Sequence, residues 1–190
     1  MRTQSFIAES LVDKLLFRWR SGKAQPYIKP GITVVDLGCG ANAAFLKKNE
    51  LEIGAGFGFD LDTDTNNSSD KIKVKSCNLN QPIDFPDNSA DVVVSFATLE
   101  HLNDYQTYLD EMQRILKPNG IAILTTPAGM ADPILKILGF SGLIDGREIK
   151  DHKKYFTKKE LKEGFQKAGF QKIKSASFQL GFNQLIIAQK

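Results

Sequence analysis

Residues 34–40, Val-Val-Asp-Leu-Gly-Cys-Gly, hold the sharpest chemical signal in this chain of 190 residues. An apolar, β-branched run opens at Thr33 and stops at Gly38, so a buried strand is predicted to end in a glycine turn. Gly38 and Gly40 would let the backbone turn tightly and approach a ligand with no side chain between them. The helix predicted from Ala43 would present free N–H groups to that ligand. Asp60 ends the next predicted strand, 20 residues after Gly40. At that spacing a carboxylate reaches ribose hydroxyls in dinucleotide-binding folds, so the pair argues for an adenosine ligand at the carboxyl ends of the strands.

Two adenosine ligands compete for this loop. Residues 38–43, Gly-Cys-Gly-Ala-Asn-Ala, satisfy the G-x-G-x-x-G/A pattern, which keeps a nicotinamide dinucleotide in play. Asp36 argues against it, because a carboxylate two residues before the first glycine would face a pyrophosphate, and like charges repel strongly in a partly dehydrated site. A ligand with an ammonium or sulfonium suits the loop better, and S-adenosylmethionine carries both, with the ribose that Asp60 needs. A second reading of Asp36 has it holding the glycine loop through backbone hydrogen bonds.

A methyl group on a sulfonium is already activated, so transferring it asks the protein mainly for alignment and a dry site. A general base matters when the acceptor is a hydroxyl or a protonated amine. His101, after the fourth predicted strand, and His152, before the last predicted helix, are the candidates, since imidazole titrates near neutral pH. Glu100 and Tyr155 are further ones.

Positioning these residues requires a sheet. Buried-strand patterns occur at Thr33–Leu37, Ile53–Asp60, Asp91–Phe96 and Gly120–Thr126, with weaker ones at Ile72–Cys77, Gln171–Phe178 and Asn183–Gln189. The first five are separated by linkers or helices rather than hairpin turns, which predicts a parallel α/β sheet. The last two are joined by a few residues around Gly181, too short for a crossover, so the final strand must run antiparallel. Asn103 or Asp104 caps a predicted helix with Tyr105, Leu109, Met112 and Leu116 on one face, ended by Pro118, Asn119 and Gly120. Thr157 and Glu160 form a capping box for another, which Gly169 stops. Between Asp60 and Ile72 there is no apolar periodicity and many turn formers, so a flexible polar loop is expected in place of a crossover helix. At the N-terminus, Phe6, Ile7, Leu11, Val12, Leu15, Leu16 and Trp19 recur at helical spacing and predict an amphipathic helix from about Gln4 to Arg20.

Composition narrows the class. With 42% hydrophobic and 25% charged residues the chain reads as one globular domain, residues 1–190. Cys39 and Cys77 make neither a disulfide framework nor a CxxC site, which points to a reducing, cytoplasmic setting. No apolar run is long enough for a transmembrane segment. The net charge of +3 is uneven: residues 147–174 hold ten Lys or Arg against four Asp or Glu. Such a stretch could meet nucleic acid, although a solvated helix face is the usual explanation.

From about Tyr27 onward the chain resembles the class I S-adenosylmethionine-dependent methyltransferases. Residues 35–40 resemble the family's first motif and residues 58–62, Gly-Phe-Asp-Leu-Asp, its second. Residues 77–95 resemble the segment that binds the adenine edge and then runs beneath the cofactor. Residues 99–102, Leu-Glu-His-Leu, residues 116–127 and the Ala-Gly-Phe at 168–170 complete the set. The resemblance implies a Rossmann-like three-layer sandwich with a seven-stranded, mostly parallel sheet of order 3-2-1-4-5-7-6, strand 7 antiparallel. It implies S-adenosyl-L-methionine as cofactor, contacted by Asp36, Gly38, Cys39, Gly40, Asp60, Leu61, Asn78, Leu79 and Phe96. The N-terminal periodicity predicts a helical cap over residues 1–26, and the resemblance implies a substrate-shaping lid over 128–154, whose apolar sides could serve an acceptor or a homodimer. His101, His152 and Tyr155 are the expected catalytic residues. Two positions depart from the pattern: Asn42 stands where a small residue is usual and is expected to cap the following helix, and Asn78 replaces an acid at the adenine edge. The ending from Asp151 to Leu185 resembles methyltransferases of surface-polysaccharide and lipid pathways, so a small-molecule acceptor, sugar or lipid-linked, is expected. A nucleic-acid methyltransferase and a non-catalytic S-adenosylmethionine-binding protein are the alternatives.

Overall fold

Apolar side chains from seven strands bury a core on each face of one sheet. The structure is a computed structural model that describes residues 11–129 and 154–190. The strands are β1 (Thr33–Leu37), β2 (Ala55–Asp60), β3 (Ile72–Ser76), β4 (Ala90–Phe96), β5 (Leu116–Pro127), β6 (Gln171–Phe178) and β7 (Asn183–Gln189). Their order is β3-β2-β1-β4-β5-β7-β6, and β7 runs antiparallel to both neighbours. The short turn Gln179–Gly181 makes that reversal, as its length required.

Neighbouring residues of each strand serve opposite faces. Val35, Leu37, Val93, Leu124 and Ile186 bury against α3 (Tyr105–Ile115) and α4 (Lys158–Lys167). Val34, Val92, Val94, Ile123 and Leu185 bury with Phe45 and Leu46 of α2 (Ala44–Asn49), with Phe17 of α1 (Leu11–Ser21) packed beside them. Burying each such side chain is worth about 1.5–3 kcal/mol, which is why both faces must be covered. Asp104 caps α3 by accepting from the N–H groups of Gln106 and Thr107, and Thr157 and Glu160 form the expected capping box on α4.

Several expectations are corrected. α3 ends at Ile115, and Leu116 already has extended backbone and opens β5. Pro118, Asn119 and Gly120 therefore sit in a bulge, where β4 advances from Ala90 to Val92 while β5 advances from Leu116 to Ile121. Strand β2 starts at Ala55 rather than Ile53. Asn42 does not cap α2; Ala43 takes that place with a left-handed backbone and no side-chain cap. In α1, Leu15 and Trp19 point outward at 64% and 51% exposure, while Phe17, which the helical spacing left out, packs against the core. Phe6 and Ile7, His152 and nearly all of the expected lid lie outside the described residues. Among the described residues no helix is long and apolar enough to cross a membrane.

Candidate active site

β1 carries Asp36 to the carboxyl end of the sheet, where its side chain is buried and its Oδ1 has no hydrogen-bond partner. Burial pushes this carboxyl up to about 8, and the negative charge of Asp60 pushes it the same way. An uncompensated buried acid gains from a cation set against it and loses from an anion.

The turn that follows is shaped by close packing. Gly38 has φ +87°, and a Cβ there would stand 2.0 Å from Thr98 Oγ1, so no larger residue fits. Thr98 in turn donates to the Leu37 carbonyl at 3.3 Å. The N–H of Gly38 donates to the Phe59 carbonyl at 2.8 Å, and that of Gly40 to Asp60 Oδ2 at 3.0 Å. The Asp62 N–H donates to Asp60 Oδ1 at 3.1 Å. Asp60, not Asp36, is thus the carboxylate that holds the glycine loop through backbone hydrogen bonds. Cys39 sits behind the loop, where burial pushes its thiol up to about 12, so it packs as a neutral group.

A pocket of about 160 Å³ opens beside this loop. Asp36, Gly38, Cys39, Gly40 and Phe96 line it, joined by Phe17, Ala41, Asn42 and Ala44. Phe96 meets Phe45 edge-on at 5.1 Å between ring centres and Phe17 at 6.5 Å, giving the pocket an aromatic wall. Sequence reasoning missed Phe17, because a residue's facing on a half-covered helix depends on what the helix packs against.

The remaining expected contacts are less uniform. Leu61 is exposed beyond Asp60 and is not part of the pocket wall. Asn78 is also exposed, and its Oδ1 already accepts from the backbone and side chain of Asn80 at 3.1 Å each. Leu79 belongs to the core cluster with Phe59 and Ile83 rather than to the pocket wall. His101 ends the 3-10 turn Leu99–His101, close enough to Glu100 to favour its ionised form. Tyr155 stands half-buried beside Gly129, past the carboxyl end of β5.

Glu100, one of the further candidates from the sequence, is a buried acid at this end of the sheet. It is buried at 1% exposure; its Oε2 accepts from Thr126 Oγ1 at 2.9 Å, and its Oε1 has no partner. Burial pushes its pKa up, against the pull of its own backbone N–H, His101, Thr126 and Arg20. Gln184, paired with Thr126 across β5 and β7, likewise has a buried, unpartnered Oε1. Gln184 Oε1 accepts, and Glu100 Oε1 accepts when the carboxyl is ionised, so a ligand that satisfies both in that form would bring hydrogen-bond donors.

Comparison with known proteins agrees with this geometry. A family model described as a methyltransferase domain matches residues 4–175, and the chain belongs to that family, the class I S-adenosylmethionine-dependent methyltransferases. Over 42 residues it is 45% identical to a probable S-adenosylmethionine-dependent methyltransferase of Mycolicibacterium smegmatis, covering 22% of this chain and 16% of the relative. Over 122 residues it is 28% identical to the demethylmenaquinone methyltransferase of Staphylococcus haemolyticus, covering 56% and 51%. The matches thus span 16% and 51% of those curated relatives. Among solved structures, a methyltransferase from Archaeoglobus fulgidus superposes with a TM-score of 0.71 at 18% identity, over 93% of this chain and 94% of that one. Phosphoethanolamine N-methyltransferase 2 of Haemonchus contortus, solved with S-adenosyl-L-methionine, gives 0.70 at 14% identity, over 94% and 57%. At such identities the likeness is one of fold.

Proposed function

We propose that the chain transfers the methyl group of S-adenosylmethionine to a small-molecule acceptor. The observation that carries this reading is Asp36: a buried carboxyl with an unpartnered oxygen on the wall of a pocket built by a glycine loop. The ammonium and sulfonium of S-adenosylmethionine would compensate it, and the pyrophosphate of a nicotinamide dinucleotide would not. Gly38, Cys39, Gly40 and Phe96 form the cofactor wall, and Asp60, with Leu61 beyond it, faces the ribose. Asn78 is assigned to the adenine edge. Titration calorimetry with S-adenosylmethionine and with NAD tests the assignment; binding of NAD alone would overturn it.

On the acceptor side, Glu100 and Gln184 favour a group with an O–H or N–H to donate. Glu100 would take the proton of that group as its lone pair attacks the methyl carbon and the bonding electrons return to sulfur. His101 and Tyr155 flank the same end of the sheet, and His152 remains a further candidate. A sugar or lipid-linked alcohol meets this requirement and matches the resemblance of the C-terminal stretch. Lys158, Lys159, Lys162 and Lys167 are exposed on α4, where Lys159 pairs with Glu163 at 3.9 Å, and we read them as a solvated helix face rather than a nucleic-acid surface. Salt-sensitive RNA or DNA binding would reverse that preference. S-adenosylhomocysteine release on incubation with a deproteinised metabolite extract separates an enzyme from a non-catalytic binder.

A further inference from the structure

The stretch between β2 and β3 has no crossover helix, yet it is not loose. Asp64 turns it by accepting from the Asn66 N–H at 2.9 Å, which starts a one-turn 3-10 helix, Thr65–Asn67. Three of its donors reach the glycine loop. Thr63 Oγ1 donates to the Gly40 carbonyl at 3.1 Å, the Asp64 N–H to the Ala41 carbonyl at 3.2 Å, and Asn67 Nδ2 to the same carbonyl at 2.8 Å. Lys47 of α2 donates to Asn67 Oδ1 and fixes the amide from the other side.

We infer that Thr63 and Asn67 are positioning residues that hold the glycine loop in its cofactor-binding form. In a trans peptide the C=O and the N–H point in opposite directions. Drawing the Gly40 and Ala41 carbonyls toward residues 63–67 therefore turns the N–H groups of Ala41 and Asn42 the other way, toward the pocket these two residues line. Neither N–H donates to a backbone carbonyl outside helices and strands. Together they can receive the carboxylate of the amino-acid end of the cofactor, while Asp36 receives the cationic part. Without the latch a loop with glycines at φ +87° and +68° would have to be ordered by the ligand itself.

This inference rests on the reading that the glycine loop holds S-adenosylmethionine, and the test separates the two. Thr63→Val removes the hydroxyl at nearly constant volume, and Thr63→Ser restores it. Asn67→Asp removes the donor to Ala41 and keeps the acceptor for Lys47. Thr63→Val and Asn67→Asp should each weaken S-adenosylmethionine binding about three- to tenfold by calorimetry, as loss of one hydrogen bond implies, and Thr63→Ser should recover it. Amide exchange over residues 38–42 should speed up in the weakened variants, and bound S-adenosylmethionine should slow it again. If Asp36→Asn weakens binding while both latch variants bind as the wild type does, the latch is overturned and the cofactor site stands. If all three bind as tightly as wild type, the site assignment itself falls. Should Thr63→Val fail to fold, Asn67→Asp decides the question alone.

Discussion

The N–H of Gly40 lies 3.0 Å from Asp60 Oδ2, so the residue that ends β2 also closes the turn after β1. A carboxylate that holds the glycine loop keeps further lone pairs to accept from a ligand's hydroxyls, so loop order and the proposed ribose contact would share one side chain. Loss of Asp60 should therefore affect both, and the following predictions separate the contributions of its neighbours.

Asp36→Asn should stabilise the protein and weaken cofactor binding. The folded state keeps the Asp36 proton up to about pH 8, whereas an unfolded chain releases it near 3.8. Across that window the native state binds more protons, so wild-type stability falls as pH rises, and the deficit is complete above about 8. Asp60, Cys39 and Tyr108 are the titratable groups coupled to it. Denaturation at pH 8 should show the variant more stable by on the order of a few kcal/mol, with the gap closing toward pH 4. Below pH 7.5, S-adenosylmethionine binding to the wild type should release a proton, detected by calorimetry in buffers of different ionisation enthalpy.

Gly38→Ala and Gly40→Ala should differ sharply. Both glycines have positive φ, but only at Gly38 would a Cβ meet Thr98; at Gly40 nothing lies within 4 Å. Gly40→Ala should cost about 1–2 kcal/mol from the backbone alone, and Gly38→Ala about 3 kcal/mol or more. Chemical denaturation measures both, and adding Thr98→Ala should recover part of the second loss.

Phe17→Ala should lower S-adenosylmethionine affinity several-fold and cost about 1–2 kcal/mol, because its ring walls the pocket against Phe96. Leu15→Ala and Trp19→Ala, on the outward side of the same helix, should stay within about 0.5 kcal/mol and leave binding unchanged. Thermal melts and calorimetry on the three variants provide the comparison.

Glu100→Gln should leave cofactor affinity within about twofold and reduce S-adenosylhomocysteine release on a metabolite extract about a hundredfold, the usual contribution of a general base. Burial holds the Glu100 pKa above the ordinary 4.5, so the acid destabilises the wild type increasingly as pH rises above that value. The variant should therefore gain stability relative to wild type as pH rises toward 8, and the gain should vanish toward pH 4.5.

Much of this architecture is written in local pattern. The seven strands, the Gly38–Gly40 turn, the Thr157–Glu160 box and the antiparallel return around Gly181 each follow from residues near one another in sequence. Spacing, β-branching and connection length act over a few residues, so they can be read without knowing what lies opposite. Only the tertiary structure decided which side of α1 faces inward, that Asp60 and not Asp36 ties the glycine loop, and that the polar stretch after β2 donates hydrogen bonds to that loop. It likewise decided that Glu100 is buried with an oxygen unpaired, and that Leu79 serves the core. Each of these depends on atoms brought together from distant parts of the chain, and desolvation and hydrogen-bond geometry come into being only when those atoms meet.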